Sequence, residues 1–286
     1  MSESTTAPAT TDTIPEIDES LAPAEGWHVL HLFYQIDRSQ WSMLTSEEQV
    51  ERKTALTRLV QELRQHPNTQ LLMFSMLTPR ADIGFMLLTP DLRDANAFEK
   101  RLTISMGPDV LVPIYSYFSM TERSEYTTSA EQYGETLRTE RGLVEGSDEF
   151  NTAIAEFNAR MEKYGKDRLY PNMPDWPVFC FYPMTKRRSG ADNWYSLDFE
   201  TRRQLMAGHA AIGRQWAGKI RQLITGSTGL DDYEWGVTLF AKDTFDVKGI
   251  VYEMRFDEVS ARYAEFGDFY IGIQVRLQEL FQQVSL

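Results

Sequence analysis

Ten residues in the first half of the chain return, in kind and in order, in the second half. Asp82-Ile83-Gly84-Phe85-Met86-Leu87-Leu88-Thr89-Pro90-Asp91 aligns with Glu234-Trp235-Gly236-Val237-Thr238-Leu239-Phe240-Ala241-Lys242-Asp243. An acid, a large apolar side chain, a glycine, an apolar stretch and a helix-opening aspartate recur at one spacing. The elements around both runs repeat as well. In the first half, 27–34 reads as a strand, 45–65 as a helix with an acidic first turn, and 71–77 and 83–88 as strands. A helix over 90–105 and a strand over 110–118 follow. In the second half the order is strand 176–184, helix 198–223, strands 224–230 and 234–241, helix 244–263 and strand 269–275, with a short helix at the end. Two unrelated hairpins would give the same ten-residue match, so the duplication rests on the shared element order. The expected fold class is α+β, with two ferredoxin-like β-α-β-β-α-β halves.

This divides the chain into a tail over 1–25, an N-terminal half over 26–126, a linker over 127–175 and a C-terminal half over 176–286. The tail is rich in Ser, Thr, Pro, Ala and acid, so disorder is expected there. The linker holds a helical stretch at 147–164, with Phe150, Ile154, Phe157 and Met161 at helical spacing. A net charge of -13 argues against a general nucleic-acid binder, which needs a basic face. The single cysteine, Cys180, excludes a disulfide within the chain and a Cys-built zinc or iron–sulfur site. The N-terminus lacks a signal-peptide pattern, and no apolar run approaches the roughly 18 residues a membrane span needs. A soluble, cytoplasmic protein is expected.

There are four histidines. His28 and His31 have odd separation on a strand and face opposite sides. His66 ends a helix, where a cation complements the dipole. His209 lies mid-helix in Leu205-Met206-Ala207-Gly208-His209-Ala210-Ala211-Ile212-Gly213, whose small residues would let a flat, wide ligand approach. A neutral imidazole there suits heme iron; a hydrogen-bonded core histidine would also fit. A second cluster comprises Arg168-Leu169-Tyr170-Pro171 and Phe181-Tyr182-Pro183-Met184-Thr185-Lys186-Arg187-Arg188. This local reversal of charge in an acidic protein suits a ligand with carboxylates, although a solvated strand end has the same look. No G-x-S-x-G elbow, P-loop or Rossmann fingerprint is present. Gly226-Ser227-Thr228-Gly229 lacks the lysine of a Walker loop.

With these residues the sequence resembles the coproheme decarboxylases, relatives of the chlorite dismutases. The likeness runs from Arg168 to Lys186 and from Asn193-Trp194-Tyr195 through Gly272. It includes Ile250-Val251-Tyr252-Glu253-Met254-Arg255-Phe256-Asp257-Glu258-Val259-Ser260 and Glu265-Phe266-Gly267. In the N-terminal half it is looser, through 27–34 and Tyr115-Ser116-Tyr117. The resemblance implies a dimeric α+β barrel with the porphyrin in the C-terminal half, assembled as a homopentamer. It implies peroxide-dependent oxidative decarboxylation of iron coproporphyrin III, converting two propionates to vinyls and giving heme b and carbon dioxide. This would be the last step of heme synthesis, with a transient ferrochelatase contact. By the same resemblance His209 is the axial iron ligand, and Tyr182 is the tyrosine that becomes a radical. Lys186 steers a propionate or relays protons. Arg168, Tyr170, Arg255 and Ser260 hold propionates, and Gln222 is the distal residue. Chlorite dismutases proper carry a distal arginine, so Gln222 together with Tyr182 and Lys186 favours decarboxylation over a chlorite-splitting or other heme peroxidase. A heme carrier would need no redox tyrosine. The tail and a helical insertion near 141–165 depart from the family pattern.

Overall fold

The computed structural model describes residues 20–286. Of the expected disordered tail, 1–19 lies outside the described residues, whereas 20–25 makes specific contacts. Ser20 Oγ donates to the Asp91 carboxylate at 3.1 Å, and the Glu25 carboxylate accepts two bonds from Arg123 at 2.8 and 2.9 Å. The order of elements follows the duplicated plan. The first half comprises β1 (His28–Ile36), α1 (Arg38–Met43), α2 (Ser46–Gln65), β2 (Gln70–Met76), β3 (Ile83–Thr89), α3 (Leu92–Ile104) and β4 (Leu111–Thr121). Helices α4 (Ala130–Thr139) and α5 (Asp148–Leu169) then cross between halves. The second half comprises β5 (Val178–Lys186), a 3-10 turn (Trp194–Ser196), α6 (Phe199–Gln215), β6 (Ile220–Gly226), β7 (Trp235–Ala241), α7 (Thr244–Met254), α8 (Glu258–Tyr263), β8 (Ala264–Phe266), β9 (Tyr270–Gln274) and α9 (Leu277–Gln283).

Side-chain caps set the helix starts. Thr45 and Glu48 form a reciprocal capping box on α2, and Asp198 accepts from the Thr201 amide at the start of α6. All strand pairs are antiparallel. The first half is ordered β4-β1-β3-β2 and the second β6-β7-β5-β9, the ferredoxin-like order in each. Pairings β4–β6 and β2–β9 join the halves, so the strands close into one ring, with β8 appended to β5. Ring closure removes the open edges a sheet would otherwise expose.

Alternation then sorts side chains to two faces. Val29, Phe33, Phe74, Phe179, Phe181 and Phe240, from both halves, fill the inside. Phe74 stacks on Phe179 across the halves, with ring centroids 3.7 Å apart. His31 sits among them, its Nε2 2.9 Å from Thr238 Oγ1 and its ring stacked on Phe181. Burial pushes the His31 imidazole down to about 3, so it is neutral. His28 faces the other way, stacking on Phe118.

Outside the ring the halves differ. In the first half, α2 buries Leu56, Leu59, Val60 and Leu63 against the sheet, and α9 adds Leu277 and Leu280 to the same core. The counterpart of α2 in the second half, α6, buries none of its seventeen residues.

Two expected boundaries move. The helix expected over 198–223 stops at Gln215, because Trp216 caps it and Gly218 turns the chain with φ +83°. The Trp216 indole is held by the Glu253 carboxylate at 2.7 Å. The following strand is therefore Ile220–Gly226, earlier than the expected 224–230, and Gln222 lies on it. The helix expected over 244–263 breaks after Met254 and restarts at Glu258 under an Asp257 cap. Helices α1 and α4 and strand β8 were not foreseen from the sequence. The linker helix runs further than expected and carries Arg168 in its last turn.

Candidate active site

The outward faces of β5, β6 and β7 form the floor of a cavity of about 490 Å³. Alternation brings Tyr182, Met184 and Lys186 of β5 to this floor, with Gln222 and Ile224 of β6 and Trp235, Val237 and Leu239 of β7. Tyr182 and Ile224 both pair with Val237, and Gln222 pairs with Leu239, which fixes their relative places. Helix α6 supplies Arg202, Met206 and His209, at i, i+4 and i+7 on one face. Arg255 and Ser260, at the break between α7 and α8, close one side, and Arg168 and Glu122 stand at another.

The break also places Asp257 against His209. Asp257 caps α8 by accepting from the Ser260 amide at 3.1 Å, and the same Oδ2 lies 2.7 Å from His209 Nδ1. A carboxylate only accepts, so Nδ1 carries the hydrogen, and in the neutral imidazole the lone pair lies on Nε2. Among the described hydrogen bonds Nε2 has no protein partner. A carboxylate behind an imidazole whose other nitrogen is open is the usual support of a metal-ligating histidine. Among the described residues no group of three His, Cys, Asp or Glu side chains could hold a metal by itself. A ligand that brings its own equatorial donors, as a porphyrin does, fits this single imidazole. The unburied face of α6 above a mostly apolar floor fits its ring.

Tyr182 is 8% exposed, with its ring stacked on Phe269 at 4.4 Å. Burial raises its phenol well above the ordinary range, Cys180 adds to this, and Arg255 opposes it. The hydroxyl therefore keeps its hydrogen at neutral pH. Lys186 is 7% exposed, and its Nζ lies 4.8 Å from the centre of the Trp194 ring. Burial pushes its amine down to about 8, against the pull of Asp257 and Glu234. The Arg255 guanidinium lies over the Phe266 ring at 4.5 Å. Arg168 donates through Nε to the Glu122 carbonyl at 3.1 Å. Burial raises the Glu122 carboxyl, and Arg168 opposes this.

Of the eight residues singled out from the sequence, seven line this one cavity: Arg168, Tyr182, Lys186, His209, Gln222, Arg255 and Ser260. Tyr170 does not. It follows the end of α5, is 41% exposed, and packs edge-on against Trp27 at 5.5 Å. Sequence reasoning assigned no role to Asp257, Trp194, Glu234 or Arg202. For Asp257 the signal was present, an Asp-x-x-Ser cap, but the expected helix ran straight through it.

A closed barrel of two ferredoxin-like halves, with one imidazole presented to an open layer in the second half, defines an α+β barrel protein built to hold a flat ligand. The chain belongs to the chlorite dismutase family, whose model matches residues 49–275. It is 41% identical over 277 residues to the coproheme decarboxylase of Staphylococcus saprophyticus, an alignment covering 94% of this chain and 99% of that one. A heme-binding protein from Thermus thermophilus superposes with a TM-score of 0.76 at 36% identity, covering 92% of this chain and 96% of that one. A single-residue mutant of the chlorite dismutase of Candidatus Nitrospira defluvii shares the fold at a TM-score of 0.69 and 17% identity, covering 92% of this chain and 97% of that one.

Proposed function

We propose that this chain is a coproheme decarboxylase: it takes iron coproporphyrin III and hydrogen peroxide and converts two propionates to vinyls, giving heme b. The observation that carries this reading is one cavity holding a carboxylate-backed imidazole, a buried protonated tyrosine and a buried lysine. The relative from Staphylococcus saprophyticus points the same way.

When bound, the iron porphyrin supplies the oxidising equivalents of peroxide. The protein's own residues do the rest. His209 ligates through Nε2, with Asp257 holding the ring. Arg168, Arg255 and Ser260 grip propionates by charge-assisted bonds and orient them; Tyr170 belongs to this set by resemblance and needs a rearrangement to reach it. Tyr182 gives up its phenolic hydrogen with an electron, so no charged phenol forms in a buried place, and then takes hydrogen from the propionate side chain. Each propionate loses its carboxyl group as carbon dioxide, and its two remaining carbons stay on the ring as a vinyl group. It loses two electrons, which reduce one peroxide to two waters with uptake of one proton. Lys186 stands on the same strand face and steers a propionate or passes that proton. Gln222 occupies the distal position, where chlorite dismutases proper have arginine.

The same reading carries a homopentameric, cytoplasmic enzyme that receives its substrate through a transient contact with a ferrochelatase. No helix among the described residues is long and apolar enough to cross a membrane. The deciding experiment adds iron coproporphyrin III and peroxide to the purified chain and separates products by mass. Stepwise loss of two carboxyl groups is expected. Unchanged porphyrin there, with oxygen released when chlorite replaces peroxide in a parallel reaction, would establish the chlorite-splitting alternative.

A further inference from the structure

Glu234 is 6% exposed and directs its two carboxylate oxygens to two different elements. Oε2 accepts from the backbone amide of Lys186 at 2.8 Å, at the end of β5. Oε1 accepts from the Tyr195 hydroxyl at 2.6 Å, on the 3-10 turn. The backbone of Glu234 is itself fixed, its amide donating to the Met184 carbonyl and its carbonyl accepting from the Ser227 amide. The neighbour of Tyr195 on the turn is Trp194, whose ring carries the Lys186 ammonium. Between Lys186 and this turn the chain is a loop, closed by the Trp194 amide donating to the Arg187 carbonyl at 2.9 Å.

One buried carboxylate therefore holds both sides of the lysine: the strand from which it projects and the turn that brings the aromatic face it rests on. We propose that the Glu234–Tyr195 pair positions Lys186, fixing the Trp194 ring over the floor so that the ammonium has one place in the cavity. The inference rests on the decarboxylase reading for what Lys186 does there, but the positioning itself is a property of the unloaded protein. A lysine side chain is long and rich in rotamers, so one that must meet a propionate gains from being held. The interaction of the ammonium with an indole face in a desolvated place supplies the hold, and the Tyr195 hydroxyl keeps the indole there. Glu234 itself does not line the cavity, whereas its partners Lys186 and Tyr195 both do, and Glu234 acts through them.

The test is Tyr195→Phe, which removes one hydroxyl and leaves the Lys186 backbone bond intact. With lysines labelled by carbon-13, the Lys186 ε-methylene signal is identified by its loss in Lys186→Met. In the unloaded wild type it is expected to be displaced by the Trp194 ring current. In Tyr195→Phe it is expected to move toward the exposed lysines; an unmoved signal would overturn the proposal. With substrate, Tyr195→Phe is expected to bind iron coproporphyrin within about twofold but to turn over about tenfold more slowly, a modest loss on the scale of misplaced catalytic groups. In a Lys186→Met background the same change is expected to add nothing if Tyr195, although it lines the cavity, acts through the lysine. Additive losses in the double variant would overturn the proposal and leave Tyr195 a purely structural residue. A wild type that fails to decarboxylate would refute the enzymatic reading, while the lysine signal would still decide the positioning.

Discussion

Tyr182 differs from phenylalanine by one hydroxyl, and in this cavity that hydroxyl keeps its hydrogen because the ring is buried. Tyr182→Phe preserves the stacking on Phe269 and should bind iron coproporphyrin about as well as the wild type. It should make almost no heme b, which a peroxide titration with products separated by mass would show. Asp257 acts one bond further back. In Asp257→Asn the His209 Nδ1 hydrogen loses its carboxylate partner, so the imidazole becomes a poorer donor. The iron–histidine band in resonance Raman should fall in frequency and porphyrin affinity should drop about tenfold or more. Lys186 gives a prediction about pH. Its amine titrates at about 8 when folded, below the ordinary value of 10.5. Between these values the unfolded chain holds a proton that the folded chain has released, so stability rises with pH from about 8 to 10.5 and the penalty is complete below 8. Lys186→Met should therefore stabilise the unloaded protein at pH 7, by up to about 3 kcal/mol, as urea unfolding would measure.

At the scale of elements, α6 is the informative piece. A helix gains most of its stability from packing an apolar face, and α6 buries no residue. Amide exchange over 199–215 should be fast in the unloaded protein and should slow at least about tenfold when iron coproporphyrin binds, while α2 stays protected in both states. The sequence showed this helix and the histidine on it, because those are local patterns. It did not show where the helix ends. Trp216 caps it, held by a contact with Glu253 that is distant in the chain, and Gly218 then turns the chain. The break at Asp257 was hidden for a similar reason: no Gly or Pro marks 255–257, and the cap is made by a side chain that also serves His209. Glu234 reads as an ordinary repeat position matched to Asp82. Its second role needs the 3-10 turn, which no periodicity announces. The cations were legible as a cluster, but Tyr170 shows that nearness in sequence to Arg168 does not bring a side chain into the same cavity.

At the scale of the molecule, the ring makes two halves into one interior. His31 of β1 bonds Thr238 of β7, so an N-terminal strand is tied to a C-terminal one inside the barrel. Because its imidazole titrates at about 3 when folded, the unfolded chain takes up a proton as pH falls below the ordinary 6.5 and the folded chain does not. The barrel should lose about 2 kcal/mol between pH 6.5 and about 5 from this group alone. In His31→Asn the slope of urea-measured stability over that window should be smaller by one proton, with both halves still unfolding in a single transition.

The two continuations beyond the fourth strand of each half cross to the opposite half, and they do different things there. The chain after β9 becomes α9 and drops Leu277 and Leu280 into the outer layer of the first half. The chain after β4 runs through 122–126 along the rim of the second half's cavity and leaves its middle clear. The segment after β9 thus fills one of two equivalent places outside the ring. A duplicated fold that could have offered two berths leaves one open, so on the proposed reading one porphyrin per chain is expected.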